Sequence, residues 1–207
     1  MRTELYADSR DEWKWSVAIR EAREAGQSIF WVVMLRPTVR EHGNDRTPVP
    51  RALPEVRQFF AQERRLLDAG QPKSLARITA LCSQLGIELF SDMEAYPATL
   101  GQRGHYIGNI VRALQARQVH VKHLVLLDPD NGIGEAHTDG KQVHLTHLQA
   151  VWGALRQADT LAIVQFQHRI PDWVVALQNR VAQTLAVQVQ QVRCSVWANL
   201  CLYLVDR

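Results

Sequence analysis

The residues best placed to do chemistry stand together in residues 123–135, HLVLLDPDNGIGE, where Asp128, Pro129, Asp130 and Asn131 follow four consecutive large aliphatics. Carboxylates two positions apart offer hard oxygens that can accept hydrogen bonds from an amine or ligate Mg²⁺. His168 closes a later apolar run beside Gln167 and Arg169, and an imidazole can move protons near neutral pH. Joined by Glu135 or Asp92, the two acids would suit a metal-dependent nuclease or phosphodiesterase, with His168 as base or phosphate partner. The plainer alternative is that Asn131-Gly132 makes a turn and the aspartates cap it. An EF-hand does not fit, because Gly132 falls at position five of the loop and Asp139 replaces the terminal glutamate.

The elements that must position these groups are legible from apolar runs. Leu124, Val125, Leu126 and Leu127 form a stretch with no polar break, as in a parallel strand covered on both faces. Ligands of such sheets bind beyond the carboxyl ends of the strands, where Asp128 and Asp130 would lie. Residues 29–35, IFWVVML, predict a central strand ended by Arg36-Pro37, residues 87–90 a short one leading to Asp92, and residues 161–166 another. The runs 187–192 and 200–205 are close enough in sequence to pair only as an antiparallel hairpin.

Between the strands, Ser9 with Glu12 is a capping-box signature for a helix over 11–25 stopped by Gly26. Trp13 and Val17 share one face of that helix, and Trp15 points elsewhere, toward a neighbouring loop. Further helices are predicted from Pro54 to Ala69, from Pro72-Lys73-Ser74 to Gly86, over 106–115, from His144 or Thr146, and after a capping Asp172. Residues 38–54 make a long connection, either a binding loop or a disordered excursion. Strand and helix alternate, which predicts a single α/β domain over 1–207: a three-layer sandwich, its mostly parallel Rossmann-like sheet closed by the hairpin.

An α/β sheet ending in strand, helix, strand, strand, the last two antiparallel, resembles the carboxyl half of class I S-adenosylmethionine-dependent methyltransferases. In that resemblance the strand at 124–127 is the fourth, 161–166 the fifth, and the hairpin the sixth and seventh. Many amino-methyltransferases of the superfamily carry [D/N]-P-P-[Y/F] after the fourth strand, and Asp128-Pro129 matches its first two positions. Asp130 and Asn131 stand where the second proline and the aromatic belong. The resemblance implies S-adenosylmethionine beneath the end of the 29–35 strand, near Met34, Arg36 and Asp92. It also implies an acceptor amine at Asp128 and Pro129, with Asn131, Arg169 and Arg46 toward the substrate. The glycine-rich loop of the family is replaced by Arg36-Pro37-Thr38-Val39, which leaves as a further alternative a non-catalytic binding protein with a degenerate cofactor site. The turn Asp128-Pro129-Asp130-Asn131-Gly132 also resembles one in small uncharacterised bacterial proteins of about this size.

Composition bounds the remainder. The chain of 207 residues is 46% hydrophobic and 22% charged, ordinary for a globular protein, and its longest apolar runs are strand-sized. Acids near the N-terminus leave no room for an export signal, and Cys82, Cys194 and Cys201 lack metal spacing, so reduced, mostly buried thiols in a cytoplasmic protein are expected. Arg36, Arg40, Arg46, Arg51, Arg57, Arg64 and Arg65 cluster in sequence; they are either a phosphate-facing patch for nucleic acid or nucleotide, or a solvated face. His120 with His123, and His144 with His147, are pairs without the further ligands that zinc requires.

Overall fold

The structure is a computed structural model that describes residues 6–35, 45–92, 96–97, 99–118, 120–134 and 142–207. Helix α1 (Ser9–Ala25) leads into strand β1 (Ser28–Val32), followed by α2 (Pro54–Asp68), α3 (Arg77–Gln84) and β2 (Leu89–Asp92). Helix α4 (Leu100–Ala116) precedes β3 (His123–Leu127), two short strands β4 (Ile133–Gly134) and β5 (Val143–His144), and α5 (Leu145–Ala154). Strand β6 (Thr160–Phe166), α6 (Trp173–Leu185), β7 (Val192–Trp197) and β8 (Leu200–Asp206) complete the chain. The main sheet has the order β2-β1-β3-β6-β8-β7; β1, β2, β3 and β6 are parallel, and β8 runs antiparallel to both of its neighbours.

Side-chain alternation sorts the sheet into two cores. Ile29, Trp31, Leu124, Leu126, Ala162 and Val164 face a layer built from α1, α2 and α3. Phe30, Val32, Val125, Leu127, Leu161 and Ile163 face α4, α5 and α6. This is the three-layer α/β sandwich that unbroken apolar strands require, since every residue of β3 is buried on one side or the other. No helix among the described residues is long and apolar enough to cross a membrane.

Several local expectations are corrected. The cap of α1 is Asp8, whose carboxylate accepts from the main-chain N–H groups of Arg10 and Asp11, while Ser9 hydrogen-bonds Asp45 and Thr47. Trp15 is fully buried and meets Trp31 edge to face, ring centroids 4.8 Å apart, so it faces the sheet and not a loop. Strand β1 ends at Val32, because Met34 turns into a left-handed conformation with φ of 50°. Helix α3 starts at Arg77, after the proposed Pro72 opening, and α4 starts as early as Leu100 because its glycines are tolerated where packing outweighs propensity. Asp172 adopts φ of 47° and makes no side-chain cap bond.

The largest shift is in the hairpin. Residues 189–191 form a 3₁₀ turn and β7 occupies 192–197, the segment expected to be the connection. As the edge of the sheet, β7 is largely exposed, so Arg193, Cys194 and Ser195 hide its strand character from a hydrophobicity pattern. Cys194 is accordingly exposed, unlike buried Cys82 and Cys201.

The turn after β3 is held from the next strand. Gln165 of β6 is fully buried; its Oε1 accepts from Ile133 N–H at 2.9 Å, and its Nε2 donates to the Asn131 carbonyl at 3.1 Å. Gly132 has φ of 90°, and a Cβ there would lie 2.3 Å from the Gln165 amide. Gly132→Ala should therefore lose both its relaxed backbone and the Gln165 bonds, about 2–4 kcal/mol in urea denaturation. Gly26→Ala, at φ of 61° with open space around it, should lose only about 1 kcal/mol.

Candidate functional site

Strand β3 delivers Asp128 to the carboxyl end of the sheet, where its N–H donates to the Val32 carbonyl at 3.0 Å and extends the β1 pairing by one residue. The order β2-β1-β3 makes this junction the switch point of the sheet, with consecutive crossovers departing to opposite sides. Helix α1 runs back along β1, and so brings its first turns to the same place.

There the Lys14 ammonium donates to Asp128 Oδ2 and to Asp11 Oδ1, both at 2.7 Å. Trp31 Nε1 donates to the same Asp128 oxygen at 3.3 Å. Lys14 and Asp128 are only 4% and 3% exposed, so the pair is fully inside the protein. Asp11 Oδ2 accepts from Ala7 N–H, and Asp8 caps the helix one turn earlier. Asp8, Asp11 and Lys14 recur every three residues and share one helix face.

Burial, and secondarily the charge of Asp11, pushes the Asp8 carboxyl up to about 7. Burial also raises Asp11, against the pull of Lys14. For Lys14, burial favours loss of the proton, but Asp11 and Asp128 prevail and its pKa rises, so it remains an ammonium. Beside the triad lies a cavity of about 30 Å³, room for a single water, lined by Asp8, Arg10, Asp130, Pro129 and Phe166 as well.

The other sequence-predicted residues divide into those at this junction and those away from it. Asp130 is buried on the cavity wall, and the Asn131 carbonyl is held by Gln165. His168 does sit beside the turn, bonded to the Asn131 main chain and 3.3 Å from the Gln142 amide. Burial first, then Arg180, lowers its pKa, leaving a neutral imidazole at neutral pH. Met34 is buried at the end of β1, and Asp92 ends β2 opposite Val32. Arg169 is exposed at the end of β6. Arg46 is drawn away, paired with Asp68 at the last turn of α2 at 2.6 Å. Arg36 and Glu135 lie outside the described residues.

Part of the arginine cluster is consumed internally, since Arg57 and Arg64 both pair with Glu12, while Arg51 and Arg65 are exposed and Arg40 lies outside the described residues. His144 and His147 do meet, with ring centroids 5.7 Å apart, but among the described residues no three His, Cys, Asp or Glu side chains are grouped to hold a metal. Asp11, Lys14, Trp31 and Gln165 are the members of the site that strand-end reasoning does not find. The three-residue spacing of Asp8, Asp11 and Lys14 was the available signal, obscured by the tryptophans flanking Lys14. No family model matches the chain, and no curated protein matches it in sequence.

Lys14→Met would strand two buried carboxylates and should destabilise by about 3–5 kcal/mol at pH 7. In that variant the acids become harder to ionise, so the folded state binds more protons and its urea midpoint should climb as pH falls from 7 to 5. In the native chain Asp8 has its folded pKa above the unfolded one; its contribution is greatest below the unfolded value and is lost as pH rises toward 7. Asp8→Asn keeps a capping side chain, and should flatten the fall in stability between pH 4 and 7.

Proposed function

We propose that the chain is a methyltransferase of the class I S-adenosylmethionine-dependent type, acting on an amine of a nucleic acid. The observation that carries this reading is the strand order β2-β1-β3-β6-β8-β7, with antiparallel β8 inserted between β6 and β7. It agrees with the sheet of that superfamily over β3, β6 and the hairpin, and it sets the end of β1 between Asp92 and Asp128.

The described residues suit the cofactor at two points. Met34 holds a left-handed conformation two residues beyond β1, where a glycine would ordinarily stand, at a cost of about 1–2 kcal/mol; such strain gathers at ligand sites. The backbone of Asp92 ends the adjacent strand opposite Val32, the position that the resemblance assigns to the cofactor. S-adenosylmethionine, when bound, supplies an electrophilic methyl group.

The residues of the chain account for the acceptor. The side chain of Asp128 already binds an amine, that of Lys14, so holding a substrate amine falls to the carbonyls of the Asp128-Pro129 turn. Lys14 and Trp31 keep that turn in place. His168, neutral and fixed to the Asn131 main chain, can take the proton that an amine releases on methylation. The reading of Asp128 as a Mg²⁺ ligand has less support, because its Oδ2 is engaged by Lys14 and Trp31.

Titration calorimetry should register saturable binding of S-adenosylmethionine and of its demethylated product. Asp92→Ala should weaken both at least tenfold, about 1.4 kcal/mol. No heat from either compound with the native chain would remove the proposal.

A further inference from the structure

We propose that a second cleft, between α1, the Pro50-Arg51 corner and the edge strand β7, binds a nucleobase bearing a phosphate. The cleft has a volume of about 400 Å³, in the range of small-molecule sites, and its wall includes Trp13, Arg20, Arg51, Ser195 and Trp197.

The aromatic surface is prepared in advance. Trp197 is half-buried at the end of β7 and lies nearly parallel to Trp13, with ring centroids 6.4 Å apart and planes at 24°. Trp13 is itself buried on α1 and packs along Trp197, which fixes the orientation of that ring, and half-buried Trp197 still lines the cleft. A ring held at a set angle loses little freedom when a base stacks on it, and one stacked base contributes about 1–3 kcal/mol.

Charge completes the match. Arg20 donates from Nη2 to the Arg51 carbonyl at 2.8 Å, tying the corner to α1, and Arg51 holds a left-handed backbone with φ of 57°. Among the described residues neither arginine pairs with a carboxylate. Arg23, Arg46, Arg57, Arg64 and Arg193 all do, with Glu55, Asp68, Glu12, Glu12 and Glu21 respectively. Two guanidinium groups without counter-charges, beside an aromatic face and the Ser195 hydroxyl, suit a phosphate attached to a flat ring. Trp197 pairs across the hairpin with Leu200, which lines the cavity at Asp128, so one turn of chain separates the two places. The inference goes beyond methyl transfer and stands without a cofactor.

The base and phosphate could belong to a free nucleotide or to a single strand. Tryptophan fluorescence of the full chain, without S-adenosylmethionine, would be titrated with adenosine monophosphate and with a single-stranded ten-residue oligoadenylate. Saturable quenching by either is expected, the first alone indicating a free nucleotide and a much tighter, salt-sensitive response to the second indicating a strand. Trp197→Ala should weaken binding at least tenfold and Trp197→Phe should retain most of it. Arg51→Gln, at an exposed position that holds Arg20 through its carbonyl, should weaken binding and lower its salt dependence. No saturable quenching by either probe, binding unchanged in both Trp197→Ala and Arg51→Gln, or equal binding of adenosine without phosphate would overturn the proposal.

Discussion

The arrangement depends on one ammonium group enclosed between two carboxylates. Lys14 joins the first helix to the end of β3, and it does so where both partners are buried and only a single water has room beside them. An isolated charge in this place would be expelled or neutralised, whereas the three together are mutually necessary. Buried ion pairs are often no more stabilising than apolar residues of the same volume, so the set is better understood as specifying position. It requires α1 to approach the β1-β3 junction in one register, and Trp31 adds a directional bond to the same oxygen.

Around that point the sheet supplies rigidity and the turns supply chemistry. Parallel pairing of β1, β2, β3 and β6, the inner three buried on both faces, holds the ends of β1, β2 and β3 in fixed relation, and the Gln165 amide fastens the Asp128 turn to β6. Buried polar groups are therefore gathered at the ends of an apolar framework. At the opposite end a separate buried set, Asp159 with Arg117 and the His123 N–H, closes the starts of β3 and β6. It is built from the same kinds of group but ties loop to strand.

How much of this was legible in the sequence follows from the range of each interaction. The apolar runs at 124–127 and 161–166 announce buried parallel strands because burial on both faces leaves no polar position to confuse the pattern. Strand β7 was misplaced for the opposite reason: an edge with one solvated face reads as polar. The acids of the turn after β3 were visible as chemistry, but the lysine that engages Asp128 is 114 residues away in sequence. The same holds for the arginines, whose clustering in sequence suggested a phosphate surface. Their pairing with Glu12 and Asp68 depends on how α1 and α2 pack, which local composition does not encode.

The two rims of the main sheet differ in a way that bears on self-association. The β2 rim is only four residues long, too short to template much pairing. The β7 rim is longer and carries exposed Val196, but Arg193 is anchored across it to Glu21 and Asp206. A strand from another molecule docking along that margin would have to bury a guanidinium and break two ion pairs. Sheet-to-sheet growth along that margin is thus opposed by a single side chain whose partners lie on a helix and on the terminal strand.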